Sequence, residues 1–268
     1  MIRVNGVRLN LKFYGEGEPV ILLHGLGGSL EGMATLAKGL MDKYRVIAYD
    51  CRGHGRSEKP AVYSLEDHAK DLIGLVDYFG YEKVKAVGFS MGSYITMNAA
   101  AIHPDRFEKM VLIAPKIKGD MSSVERLLNE QGLNALTASP LQRYLVLRKA
   151  AFSPDTSFVK KLKLMCLAGS SKLTRCQSSA AAEALRGFDL RQRLSDITVK
   201  TLVCSGKHDG INPPSDGEET AALLPEAQFV LFKNSGHHII IEEEKRCLTI
   251  IRKFFEGRTL PFSGEVPE

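Results

Sequence analysis

The feature that most constrains this chain is a series of short, largely apolar runs, each released into a polar or glycine-bearing loop and then into a helical stripe. Residues 20–23 form the first run, 45–49 the second, 83–89 the third and 110–114 the fourth. A strand without polar alternation is one buried on both faces, as in a parallel sheet covered by helices on each side. Between these runs, residues 31–41 and 65–79 read as amphipathic helices. Leu65, Ala69, Leu72, Ile73, Val76 and Phe79 keep the spacing of one helical face, and Ser64 with Asp67 three residues on supplies the N-cap. Four such alternations predict an α/β fold, a doubly wound and mostly parallel twisted sheet with its active site at the carboxyl ends of the strands. Residues 7–14 alternate apolar with polar and are expected as an antiparallel edge strand.

Residues 119–186 break this rhythm. They contain no strand-like run and read as several helices, so a helical cap insertion is expected there, set into a core of residues 1–118 and 187–268. The insertion carries ten basic and five acidic residues, a surplus equal to the net charge of +5 on the whole chain. A basic lid could draw in anionic substrates, and a solvated helical surface is the plainer reading. The sheet then resumes with strands at 201–205 and 228–232 and a helix at 215–224. Ile250, Ile251, Phe254 and Phe255 give a closing helix its apolar face, and the tail from Gly257, with Pro261 and Pro267, is expected to fray.

A length of 268 residues supports a large core without metals or disulfides. The five cysteines, Cys51, Cys166, Cys176, Cys204 and Cys247, lie far apart and form no C-x-x-C spacing, so free thiols are expected, with Cys166 and Cys204 in the core. No run reaches the roughly 18 apolar residues of a membrane helix and the start lacks a signal-peptide pattern, which together suggest a cytoplasmic protein. No block of like charge or aromatic-interleaved basic segment points to nucleic acid. No cluster has metal-ligand spacing, so neither a metal nor another cofactor is expected.

The chemistry-bearing residues sit where the strands end. Gly88-Phe89-Ser90-Met91-Gly92 places a serine at a strand-to-helix corner with glycine two residues to either side, the pattern of a nucleophile elbow. Cleaving an ester or amide at neutral pH needs a nucleophile, a base of pKa near 7, an anion to orient that base, and donors for the oxyanion. Ser90 is the candidate nucleophile, His237 the base and Asp209 the orienting carboxylate, each just after a strand. Asp120, near the exit of an earlier strand, is a rival for the acid. The backbone N–H groups of Leu26 and Met91 are the candidate oxyanion donors. Gly25 and His238 are expected to line the substrate pocket, while His24, His54, Asp50 and Arg52 brace their loops.

Taken together, His24-Gly25, the stretch Asp50-x-Arg52-Gly53-His54-Gly55-x-Ser57, Gly88-x-Ser90-x-Gly92, Gly206-x-x-Asp209 and Gly236-His237 followed by Glu242 resemble the α/β-hydrolase family with a helical cap, over essentially the whole chain. The resemblance implies a cofactor-free hydrolase with its pocket between cap and sheet. Similar members include serine carboxylesterases, enol-lactone hydrolases, cofactor-free haloperoxidases and carbon–carbon bond hydrolases. The implied reaction is cleavage of a small ester or lactone through an acyl-enzyme on Ser90. Perhydrolysis and carbon–carbon cleavage use the same triad, and some members act chiefly as slow-turnover receptors. Two departures stand out: Ser93 replaces a second glycine after the elbow, and Lys116 and Lys118 follow the strand that leads into the cap, leaving an acidic substrate open.

Overall fold

Val20, Ile21, Leu22 and Leu23 are wholly buried, and they alternate between two separate apolar clusters, Ile21 and Leu23 in one and Val20 and Leu22 in the other. This strand therefore runs through the middle of a sheet with a core on each face. The computed structural model describes residues 1–168 and 173–260, with backbone alone for 165–168. Its strands are β1 (Ile2–Val4), β2 (Val7–Leu9), β3 (Leu11–Tyr14), β4 (Glu18–Leu23), β5 (Tyr44–Tyr49), β6 (Val84–Phe89), β7 (Phe107–Ile113), β8 (Lys200–Gly206) and β9 (Ala227–Phe232). Its α-helices are α1 (Ala34–Leu40), α2 (Leu65–Tyr78), α3 (Met91–Ile102), α4 (Ser123–Glu130), α5 (Pro140–Ala151), α6 (Phe158–Ala168), α7 (Arg175–Glu183), α8 (Arg191–Leu194), α9 (Pro214–Leu223), α10 (Ile239–Glu242) and α11 (Glu244–Phe255).

Seven strands form one sheet in the order β3-β5-β4-β6-β7-β8-β9. Every neighbouring pair is parallel except β3 with β5. Helices α2 and α3 pack on one face, and α1 and α11 on the other. The capping box predicted at Ser64 is present, the serine accepting from the Asp67 N–H and the Asp67 side chain from the Ser64 N–H.

The run 7–14 is not one strand. Val7–Leu9 pairs with Ile2–Val4 in a separate ribbon, and only Leu11–Tyr14 forms the antiparallel edge. The break falls at Asn10, whose backbone N–H donates to Ser57 Oγ at 2.9 Å and whose Nδ2 donates to Asp50 at 2.8 Å. These loop contacts replace the ladder there. The expected helix at 31–41 likewise opens as a 3₁₀ turn over Leu30–Met33 before α1 begins.

Helices α4 to α7 lie between β7 and β8, and the described residues of this segment add no strand to the sheet. Its entry and exit run side by side. Gly119 N–H donates to Phe188 O, Gly187 N–H to Gly119 O and Leu190 N–H to Ile117 O, at 2.7 to 2.9 Å. Cys51, Cys204 and Cys247 are buried free thiols and Cys176 is exposed. The Cys166 side chain, and Pro261 and Pro267, lie outside the described residues.

Candidate active site

Ser90 joins β6 to α3 with φ 51° and ψ −116°, a left-handed conformation that a residue with a Cβ adopts only under constraint. The constraint is visible on both sides. A Cβ on Gly88 would lie 2.3 Å from the Gly92 carbonyl oxygen, and one on Gly92 would lie 2.4 Å from the Leu23 carbonyl oxygen. Ser90 N–H donates to Ile113 O at 2.8 Å, and Ser93 Oγ donates to Ser90 O at 2.5 Å. Ser93, standing where the resemblance led one to expect glycine, thus ties down the carbonyl of the turn.

The loops after β8 and β9 meet beside this turn. His237 Nδ1 lies 2.7 Å from Asp209 Oδ2, and both side chains are buried. Asp209 Oδ1 accepts the N–H groups of Ile211 at 2.8 Å and Asn212 at 2.9 Å. An ionised carboxylate only accepts, so the proton sits on His237 Nδ1 and leaves Nε2 as the basic nitrogen. The His237 ring centroid is 5.1 Å from that of Phe89, the residue before Ser90. Glycine permits the close approach of the two loops: a Cβ on Gly206 would meet the Gly236 carbonyl oxygen at 2.0 Å.

Glu242 organises the histidine loop. Its Oε1 accepts the N–H groups of Gly236 at 3.0 Å and His238 at 3.1 Å, one on each side of His237. Its Oε2 accepts from Ser153 N–H at 2.9 Å and from Thr156 Oγ1. The end of α5 clamps both loops, Ala151 O accepting from His237 N–H at 2.8 Å and Ala150 O from Gly210 N–H at 2.9 Å. The His238 ring packs between Phe152 and Phe89, at 5.2 and 5.8 Å. Burial, aided by the neighbouring His237, pushes its pKa down to about 3.

Gly25 faces the elbow closely, since a Cβ there would come within 3.3 Å of Ser90 Cβ and 3.1 Å of the Phe89 ring. The Gly25 carbonyl is turned the other way, accepting from Gly28 N–H at 3.0 Å and His24 Nδ1 at 2.8 Å. A trans peptide points its N–H opposite its carbonyl, so the Leu26 N–H is directed away from those donors. Met91 N–H lies in the first turn of α3, where backbone donors have no intrahelical acceptor.

His24 Nε2 accepts from Cys51 N–H at 3.0 Å, so both ring nitrogens are engaged in holding the loop. Asp50 accepts from Leu30 N–H at 2.7 Å and Arg56 N–H at 2.8 Å. Arg52 makes a two-pronged contact with Asp71 at 2.5 and 2.6 Å. The rival acid Asp120 is exposed and faces Lys118 at 3.6 Å. Burial pushes the Cys51 thiol far up, leaving it unreactive.

Two members of the constellation carry no motif of their own. Asn212, buried, donates from Nδ2 to Tyr94 OH at 2.6 Å and to Ala114 O at 2.7 Å. Tyr94 stands one helical turn after Ser90, and a helical side chain leans toward the N-terminus, which brings its hydroxyl beside the Ser90 side chain. Among the described residues, no group of three or more His, Cys, Asp or Glu side chains is arranged to hold a metal ion. Nor is any helix there long and apolar enough to cross a membrane.

A seven-stranded α/β sheet with a strained serine elbow and a His–Asp pair on its carboxyl edge defines a hydrolase. The chain belongs to the family of the alpha/beta hydrolase fold, whose model matches residues 18–244. It is 31% identical over 255 residues to the putative carbamate hydrolase RutD of Caulobacter segnis, covering 90% of this chain and 92% of that one. It is 30% identical over 220 residues to 3-oxoadipate enol-lactonase 2 of Acinetobacter baylyi, covering 79% and 80%. Among solved structures, the enol-lactonase from Burkholderia xenovorans LB400 superposes with a TM-score of 0.82 at 27% identity, covering 94% of this chain and 98% of that one.

Proposed function

We propose that the protein is a serine hydrolase of small carboxylic esters or lactones, working through an acyl-enzyme on Ser90. The observation that carries this reading is the 2.7 Å contact of His237 Nδ1 with Asp209 Oδ2 beside the strained turn of Ser90. His237 Nε2 takes the Ser90 proton as Oγ attacks the carbonyl carbon, and Asp209 steadies the imidazolium that forms. The tetrahedral oxyanion is held by the N–H groups of Met91 and Leu26, the second aimed by the anchored Gly25 carbonyl. Collapse breaks the bond from the acyl carbon to the alcohol oxygen, and that departing oxygen takes the proton from His237. Water activated by the same histidine then frees the acid. Helices α4 to α7 serve as the cap over this centre, with Gly25 and His238 on the pocket wall.

Carbon–carbon bond hydrolysis is the second reading. It is favoured by a relative of Burkholderia cepacia named 2-hydroxy-6-oxo-6-phenylhexa-2,4-dienoate hydrolase, 28% identical over 87% of this chain. The two separate on a panel of short esters and lactones alongside a vinylogous 1,5-diketone acid, with wild type and Ser90→Ala. Ester or lactone turnover that Ser90→Ala abolishes supports the proposal. Turnover confined to the diketone supports the second reading, and ester turnover that survives Ser90→Ala contradicts both.

A further inference from the structure

Lys116 follows β7 on the same sheet edge as Ser90, where the chain leaves for α4. Its side chain is only partly exposed, and its ammonium lies 5.9 Å from the centroid of the Tyr94 ring, the ring whose hydroxyl stands beside Ser90. An ammonium has three protons to place. The described residues give this one a single hydrogen bond, to Met121 O at 3.5 Å, the long limit of such a bond. No described carboxylate comes within the 4.0 Å of an ion pair, although neighbouring cations all have partners. Lys118 has Asp120 at 3.6 Å, and Arg126 has Glu130 and the carbonyls of Gly210 and Ile211.

The charged groups facing Lys116 from the surrounding elements are Asp216 of α9, Arg126 of α4 and Asp120. Asp216 stands beyond ion-pair distance and acts on the lysine only as a charge at longer range, making no hydrogen bond to its ammonium. A partly buried cation without an ion-pair partner gains a charge-assisted hydrogen bond from an incoming carboxylate. Tyr94 links the two groups, its hydroxyl beside Ser90 and its ring centroid 5.9 Å from the Lys116 ammonium.

We propose that Lys116 anchors a carboxylate subsite, and that the preferred substrates are esters or lactones bearing a second, free carboxylate. This rests on Ser90 being the nucleophile.

The test compares monomethyl glutarate with methyl valerate, an uncharged ester of similar length, by pH-stat in wild type, Lys116→Met and Lys116→Arg. The wild type is expected to favour the half-ester in kcat/KM by at least about 10-fold. Lys116→Met should cut that ratio by about 10- to 100-fold, mainly through the KM of the half-ester, the range expected for a hydrogen bond to a charged group. Lys116→Arg should keep most of the ratio. If Lys116 served only to balance Asp216, or the fold alone, both esters would suffer alike and the ratio would stay put, which overturns the proposal. Failure of the Ser90 reading shows separately, as no turnover of either ester and no phosphonate labelling. In that case glutarate binding to Ser90→Ala by calorimetry reads the subsite directly: binding weakened at least 10-fold by Lys116→Met upholds it, and binding absent or unweakened overturns it.

Discussion

Asn212 donates to the Tyr94 hydroxyl at 2.6 Å across 118 residues of sequence, and its own N–H donates to Asp209, so one buried amide joins the acid loop to the helix that begins at the elbow. Asn212→Ala leaves the Tyr94 hydroxyl and the Ala114 carbonyl without that partner. The expected cost is about 1–3 kcal/mol of stability, with a loss of about 10-fold in kcat and a small change in KM. Urea unfolding and steady-state kinetics on one preparation read both. Tyr94→Phe should show part of the kcat loss at less cost in stability, because it leaves no unpaired hydroxyl and Asn212 Nδ2 keeps the Ala114 carbonyl.

Glu242 holds the backbone on both sides of His237 and also holds the Ser153 N–H. Glu242→Ala strands these buried donors and should cost about 3 kcal/mol or more together with at least 10-fold in kcat. Glu242→Gln keeps acceptor oxygen and should recover part of both. Equal losses for the two variants would mean that charge, not geometry, is what the loop requires.

Asp209→Asn should preserve the fold and lower kcat by about 10⁴, since the amide favours the wrong histidine tautomer. Thermal melting within a few degrees of wild type alongside that loss is the expected pattern. Gly92→Ala is expected to behave in the opposite way. Its Cβ would strike the Leu23 backbone at 2.4 Å, so soluble yield should fall, with destabilisation of about 3 kcal/mol or more in whatever folds.

Stability should fall in acid because of buried histidines. Burial lowers the pKa of His54 to about 3 and that of His68 well below its ordinary value, so both are neutral in the folded chain. In the unfolded chain they titrate near 6.5. As pH falls below about 6.5 the unfolded state takes up protons that the folded state refuses, and each histidine removes about 1.4 kcal/mol per pH unit, for His54 down to about pH 3. Urea unfolding at pH 7 and pH 5 should show the decline, and His68→Phe should reduce its slope by one proton.

The strands and the loops they release were legible because β4, β6, β7 and β8 are largely buried and read as apolar runs, while β9, half-buried at the sheet edge, still carries Phe229 to Phe232 as one. Ser90, Asp209 and His237 each follow such a run by one to five residues. Asn212 and Tyr94 were not legible, because their partnership is made across the fold and neither residue type signals it. Glu242 was visible as part of a motif, but its purpose emerges only when Ser153 and Thr156 from the insertion arrive on its other oxygen. The split of residues 7–14 at Asn10 was hidden for a related reason: alternation persists through a break that loop hydrogen bonds, not hydrophobicity, impose.

In the proposed reaction Ser90 forms the covalent intermediate. Incubating the protein with a fluorophosphonate and mapping the adduct by peptide mass spectrometry tests it most directly. A single adduct on the peptide containing Ser90, absent from Ser90→Ala and slowed by at least about 100-fold in His237→Ala, is the expected result. An adduct on another residue, or no adduct in a protein that turns over esters, would contradict it.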